Sequence, residues 1–334
     1  MNDSCLCSNK GMYMSKVVIW RIGEILARIV LAAALLQFAI GQVVPKPGPI
    51  SPVRQITIVT EPNTAVWLNG VLYGKTAENG RITIRSAPAG AVSLRLRANG
   101  FKEVSRPVTA AQNGEISVPL AKTNDEAELA LQQAEALASI DRANAVATYK
   151  KAIAARPSYL DAYIGLARVY SEAGDFDNAL KAVREARKLK PGVAELSVIE
   201  GRTYKDSGDE AKAIVAFKRA ITEGKGFQPE AYTGLGLLYK DRAEAAGSAN
   251  DLQAEAANYR EAAKYFSTAS KQLSGAPDGI VVYQLLGLIY EKQKRFKEAI
   301  ALYEDFLRVF PDSPESTAVQ SFITQIKKQM ADQP

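Results

Sequence analysis

Histidine does not occur in this sequence, and cysteine occurs only at Cys5 and Cys7. A body lacking both side chains builds neither a Ser-His-Asp or Cys-His nucleophile nor a His/Cys zinc site. The familiar catalytic designs therefore fall away, and no cofactor or metal is expected. Carboxylate pairs serve glycosidases unaided, but no Asp/Glu pair here stands in a pocket-forming context, and Asp175 and Asp177 read as a turn between helices. The expectation is a protein that is not an enzyme. A cysteine-free body also suits an oxidising compartment, where free thiols are a liability. Excess charge of one sign is missing from most of the chain as well. Residues 123–334 carry 28 Lys and Arg against 30 Asp and Glu, whereas residues 42–122 carry 10 against 4. The near-neutral body disfavours nucleic acid as a partner.

What is present argues for two or three folded domains: 334 residues, 47% apolar and 23% charged, is an ordinary globular balance. Residues 29–44 are uncharged and follow Lys16, Arg21 and Arg28, the layout of an export signal, with Ala39 and Gly41 placed for cleavage before Gln42. Met14 opens a more typical signal than Met1. Residues 1–41 thus read as a signal peptide, or as an uncleaved anchor that meets the membrane through residues 17–41. The apolar run is shorter than the roughly 20 residues a spanning helix needs. With no cysteine after it, a lipid-modified start is not expected. Either reading places the body outside the cytoplasm, in the periplasm or cell envelope.

Residues 42–54 form a linker with prolines at 45, 47, 49 and 52, an extended spacer. Beyond it, over residues 55–122, apolar and polar residues alternate: Ile56 and Ile58, Val66 and Leu68, Ile82 and Ile84, Val92 to Leu96, Ile116 and Val118. Period two predicts half-buried strands. Asn69-Gly70, Asn79-Gly80, Asn99-Gly100 and Asn113-Gly114 repeat the dipeptide suited to tight hairpins, which predicts a small antiparallel sandwich. Glu61-Pro62, Asn69-Gly70, Gly74 to Thr76, Pro88 to Ala91 and Gly100-Phe101 together resemble the PEGA domain, with Ala89 where that family has Glu. The resemblance implies a β-sandwich of surface and envelope proteins. Gly74-Lys75-Thr76 is not a phosphate loop, since Asn69 replaces the required upstream glycine. Alternation puts Arg81, Arg85, Arg95 and Arg97 outward. They form either a patch for an anionic cell-wall or envelope polymer or a solvated face that discourages edge pairing. Trp67 and Tyr73 read as packing residues before they read as a sugar platform.

The rest of the chain repeats itself. Ala145, Ala179 and Ala213 are spaced by 34 residues, as are Tyr170 and Tyr204, and Pro157 and Pro191. The pattern resembles the tetratricopeptide repeat, which implies antiparallel helix pairs stacked into a superhelical solenoid. Five units follow, at 126–159, 160–193, 194–227, 229–274 and 280–313, the fourth lengthened by an insertion read as extended helices joined at Gly247 to Asn250. Residues 314–330, with Val319, Phe322, Ile323 and Ile326 on one face and Ser313 as cap, suit a terminal capping helix. The fold class expected is multidomain β + α, a small antiparallel sandwich followed by an all-α solenoid.

By register with the repeat family, the concave groove is lined by Asp161, Ile164 and Arg168, by Val198, Arg202 and Lys205, by Thr233, Leu237 and Lys240, and by Gln284 and Leu288. Cations among apolar side chains suggest an acidic peptide or helix of a partner protein. The family's grip on a free C-terminus is not expected, because the first unit offers Ala130 and Ala134. Two functions follow. One is an envelope scaffold whose groove binds a partner protein while the β module tethers or positions it. The other is a structural wall-associated protein whose β module binds a polymer and whose repeats self-associate.

Overall fold

The computed structural model describes residues 53–332, and the expected signal or anchor, together with most of the linker, lies outside them. Seven strands come first: β1 (Val53–Val59), β2 (Ala65–Leu68), β3 (Val71–Lys75), β4 (Arg81–Pro88), β5 (Val92–Arg97), β6 (Val104–Val108) and β7 (Gly114–Ser117). They form two sheets, ordered β4-β1-β7 and β3-β2-β5-β6. The alternating residues meet between the sheets, where Ile56, Ile58, Val66, Leu94, Leu96 and Val108 lose all contact with solvent. Two expectations are corrected here. The sandwich is not wholly antiparallel, because β7 returns beside β1 in parallel, with Ile58 opposite Ile116. Of the four Asn-Gly pairs, Asn69-Gly70 alone has both residues at positive φ and closes a two-residue hairpin, between β2 and β3. In the other three only the glycine turns left-handed. At Gly80 a Cβ would strike the Thr60 carbonyl oxygen at 2.2 Å, which is why glycine stands there.

Eleven helices follow among the described residues. They pair as α1 (Glu126–Leu137) with α2 (Arg142–Ala155), α3 (Leu160–Glu172) with α4 (Phe176–Leu189), α5 (Ala194–Asp206) with α6 (Glu210–Glu223), α7 (Pro229–Ser248) with α8 (Leu252–Gln272), and α9 (Gly279–Lys292) with α10 (Phe296–Val309). A single helix, α11 (Ser316–Ala331), covers the last pair. Its N-cap is Glu315 rather than Ser313, whose hydroxyl turns to the Glu315 carboxylate.

Local chemistry explains the pairs. Asp141, Asp175, Asp209 and Asp251 each accept the backbone N–H of the third residue of the second helix of a pair, satisfying donors the helix leaves free. Glycines in the first helices then admit aromatic rings from the second. A Cβ on Gly201 or Gly234 would meet the Phe217 ring at 2.6 or 2.4 Å, on Gly236 the Phe266 ring at 2.7 Å, and on Gly287 the Tyr303 hydroxyl at 2.3 Å. Phe217 is fully buried and wedged between the first helices of two successive pairs, so one ring holds two units at a fixed spacing.

Candidate protein-binding site

From the first pair to the fourth, the first helix of each pair contacts the first helix of the next, which builds an inner face; the fifth pair joins through α8 and α9. On that face the side chains expected to meet a ligand are largely engaged already. Ile164 and Val198 are 7% and 1% exposed and belong to the core, so they present no surface. Arg168 lies 2.9 Å from Glu195 and 3.2 Å from Glu230, reaching across two following units. Burial opposes its charge, but the two carboxylates outweigh that and hold the guanidinium above its ordinary value. In return Arg168 keeps the Glu230 carboxyl below the usual range despite the cost of burial. Arg202 stands 3.6 Å from Glu172, Lys205 2.6 Å from Asp206, and Lys240 2.8 Å from Glu244. The expected acidic ligand loses its basis: the groove cations neutralise the groove's own carboxylates.

The uncharged remainder lies in the fourth and fifth units. Thr233 and Leu237 on α7 and Gln284 and Leu288 on α9 are half-buried, and Val281, one turn before Gln284, is 55% exposed. Positions three or four apart share a helix face, so Thr233 and Leu237 lie together on α7, and Val281, Gln284 and Leu288 together on α9, two short faces of mixed apolar and polar character without an internal ionic partner.

The four outward arginines do not make a patch either. Arg81 and Arg85 lie on β4 in one sheet, Arg95 and Arg97 on β5 in the other. Arg81 pairs with Glu115, and Arg85 lies 3.0 Å from Asp312. Arg97 is 6% exposed, bonded through Nε to Glu103 at 2.7 Å, paired with Glu135 on α1, and 2.8 Å from Asp161 on α3. Burial opposes its charge too, but Glu135, Glu103 and Asp161 together hold it above its ordinary value. The same burial pushes the Glu135 carboxyl up against the pull of Arg97 and Arg95. Trp67 is neither core nor platform. Arg95 covers its ring at 4.5 Å and Arg97 sits 5.8 Å away.

These contacts belong to a dense junction between the β module and the first two units. Glu128, Gln132 and Glu135 form one stripe of α1. Glu128 accepts the Glu103 N–H at 2.7 Å and the Thr123 hydroxyl at 2.8 Å. Gln132 accepts the Gly100 N–H and donates to the Phe101 carbonyl, both at 2.8 Å. A second junction joins the same module to the far end of the array. There Tyr73 donates to the Ser274 carbonyl at 3.3 Å, a Cβ on Gly275 would press the Ser86 Cβ at 2.7 Å, and Arg85 meets Asp312. A continuous apolar cluster runs from the β module into the fourth and fifth units, while the first two units and the start of α5 share a separate one. Burial at this second junction pushes the Tyr73 phenol up to about 12.

Residues 136–197 match one tetratricopeptide repeat model, and residues 194–223 and 280–313 match another. The helix pairs within these residues are tetratricopeptide repeats. Curated proteins give no match. Among solved structures, MamA is similar at 21% identity over 57% of this chain and 94% of its own, with a TM-score of 0.39. Yeast Tom70 gives 19%, 62%, 41% and 0.48, and pilF of Pseudomonas aeruginosa gives 15%, 62%, 87% and 0.45. The sequence reading missed two sets of residues on the tetratricopeptide repeats. The capping Asp141, Asp175 and Asp209 were legible, since they too are 34 apart. The junction residues Glu128, Gln132, Glu135 and Asp312 carried no periodic signal.

Proposed function

We propose that this protein is a non-catalytic scaffold of the bacterial cell envelope, whose tetratricopeptide repeats bind a segment of a partner protein and whose β module, resembling PEGA domains, positions the array there. The observation that carries the reading is the pair of short faces, Thr233 and Leu237 on α7 and Val281, Gln284 and Leu288 on α9, whose side chains remain partly exposed while the charged groove positions are internally satisfied. Such faces suit an amphipathic segment that inserts apolar side chains. Export of residues 53–332 through the N-terminal signal belongs to the same proposal.

A photo-crosslinking residue at Val281 in the native host tests it, with one at Val215, an exposed position on α6, as control. The expected result is a discrete protein adduct from Val281 only, lost with Leu237→Asp at unchanged helicity. Adducts solely between copies of this chain would replace the scaffold reading with a self-associating structural role. Fractionation that leaves the protein in the cytoplasm would remove the envelope assignment.

A further inference from the structure

The β module touches the repeat array at both ends. One junction ties it to the first two units through Arg97, Glu128 and Gln132. The other meets the loops at Ser274 to Gly275 and at Asp312, at the far end of the array, with Tyr73 and Ser274 standing 201 residues apart in the chain. Between these ends the five units stack in unbroken succession. The module therefore closes a circuit that a free solenoid would leave open.

We infer that the β module is a clamp that fixes the curvature of the array, permanently held on the first two units and latched reversibly on the fourth and fifth. Permanence at the first junction follows from its construction. Arg97 is buried among three carboxylates, and releasing it would strand charge on both sides. The connection itself is stitched down: Lys102 N–H donates to the Ala121 carbonyl at 2.8 Å and Thr123 N–H to the Gly100 carbonyl at 3.0 Å. The second junction has a different make-up. It holds one hydrogen bond at 3.3 Å, one ion pair whose partners are 52% and 75% exposed, and apolar contact around Tyr73, Ser86 and Gly275. An exposed pair contributes little, and apolar contact has no direction to lose, so this side opens without leaving a buried charge. Stacked repeats meet chiefly their neighbours, with the Arg168–Glu230 pair as a bridge from the second unit to the fourth, and such a stack flexes as a spring; a latch across the ends holds that spring at one curvature, and with it the spacing of α7 and α9 along the groove.

The test places spin labels at Ala147→Cys on α2 and Ser321→Cys on α11, both exposed, in the full chain with Cys5→Ser and Cys7→Ser. Pulsed dipolar spectroscopy reads the distance between the two ends. A narrow distribution is expected, moving to longer distance and broadening when Ser86→Phe enlarges the module side of the latch or Gly275→Val the array side. Circular dichroism verifies that helicity is kept, and two variants on opposite partners guard against local misfolding of either. A distribution already broad in the unaltered chain, or unchanged in both folded variants, would overturn the clamp and show that the repeats set their own curvature.

Discussion

The β module meets the repeats twice with opposite chemistry. Toward the first two units the contact is polar and directional: a buried guanidinium with three carboxylates, a glutamine reading both a donor and an acceptor, a glutamate bridging backbone and hydroxyl. Toward the fourth and fifth it is apolar, with a glycine allowing close approach. Directional bonds fix an orientation and tolerate no sliding, because each displaced partner is a desolvated polar group. Apolar contact supplies adhesion proportional to area and accepts small shifts. One small domain thus carries an anchor on one side and a latch on the other.

The contrast can be broken at four places, in falling order of effect. Arg97→Met strips Glu135 and Glu103 of their buried partner and leaves Asp161 with Arg95 alone, at 3.6 Å, and the expected loss is about 3 kcal/mol in chemical denaturation. Gly275→Ala puts a methyl against Ser86 at a residue with φ of +74°; opening of the latch caps the loss at about 1–3 kcal/mol, read as a lowered Tm. Asp125 caps α1 beside the anchor, accepting from the Glu128 N–H with Arg156 close by, and its pKa is held below the ordinary 3.8 by those bonds. Its contribution is present above pH 3.8 and disappears as pH falls through the lower folded value. Asp125→Ala accordingly costs about 1 kcal/mol at neutral pH and nothing once the carboxyl is protonated, a convergence that paired acid titrations of the two proteins would check. Asp312→Asn, removing the exposed pair with Arg85, is expected to cost no more than about 0.5 kcal/mol; a larger value in a double-mutant cycle would make the latch ionic after all.

How far the sequence reached depended on the kind of information each feature needs. Alternation at Ile56 and Ile58 or Leu94 and Leu96 names a buried face with no knowledge of the partner strand, and a period of 34 names helix pairs in the same way. The parallel return of β7 beside β1 needed topology, which alternation does not encode. Alternation turns Arg95 and Arg97 outward, and they do leave the sandwich core, but outward from a domain is not outward from a protein. Their partners, Glu135 and Asp161, lie 38 and 64 residues beyond Arg97, and nothing local to either segment marks the pairing. The groove failed for a related reason. Register located Arg168 and Arg202 on the inner face, yet the carboxylates that consume them, Glu195, Glu230 and Glu172, come from other units that a single-unit motif treats as equivalent.

Phe217, gripped between Gly201 and Gly234, makes the third and fourth units co-owners of one ring. Anyone shortening, lengthening or shuffling this array could not cut between residues 223 and 229, however natural that seam looks on a repeat alignment. The exchangeable block there begins inside one helix pair and ends inside the next, out of phase with the repeats that evolution counts.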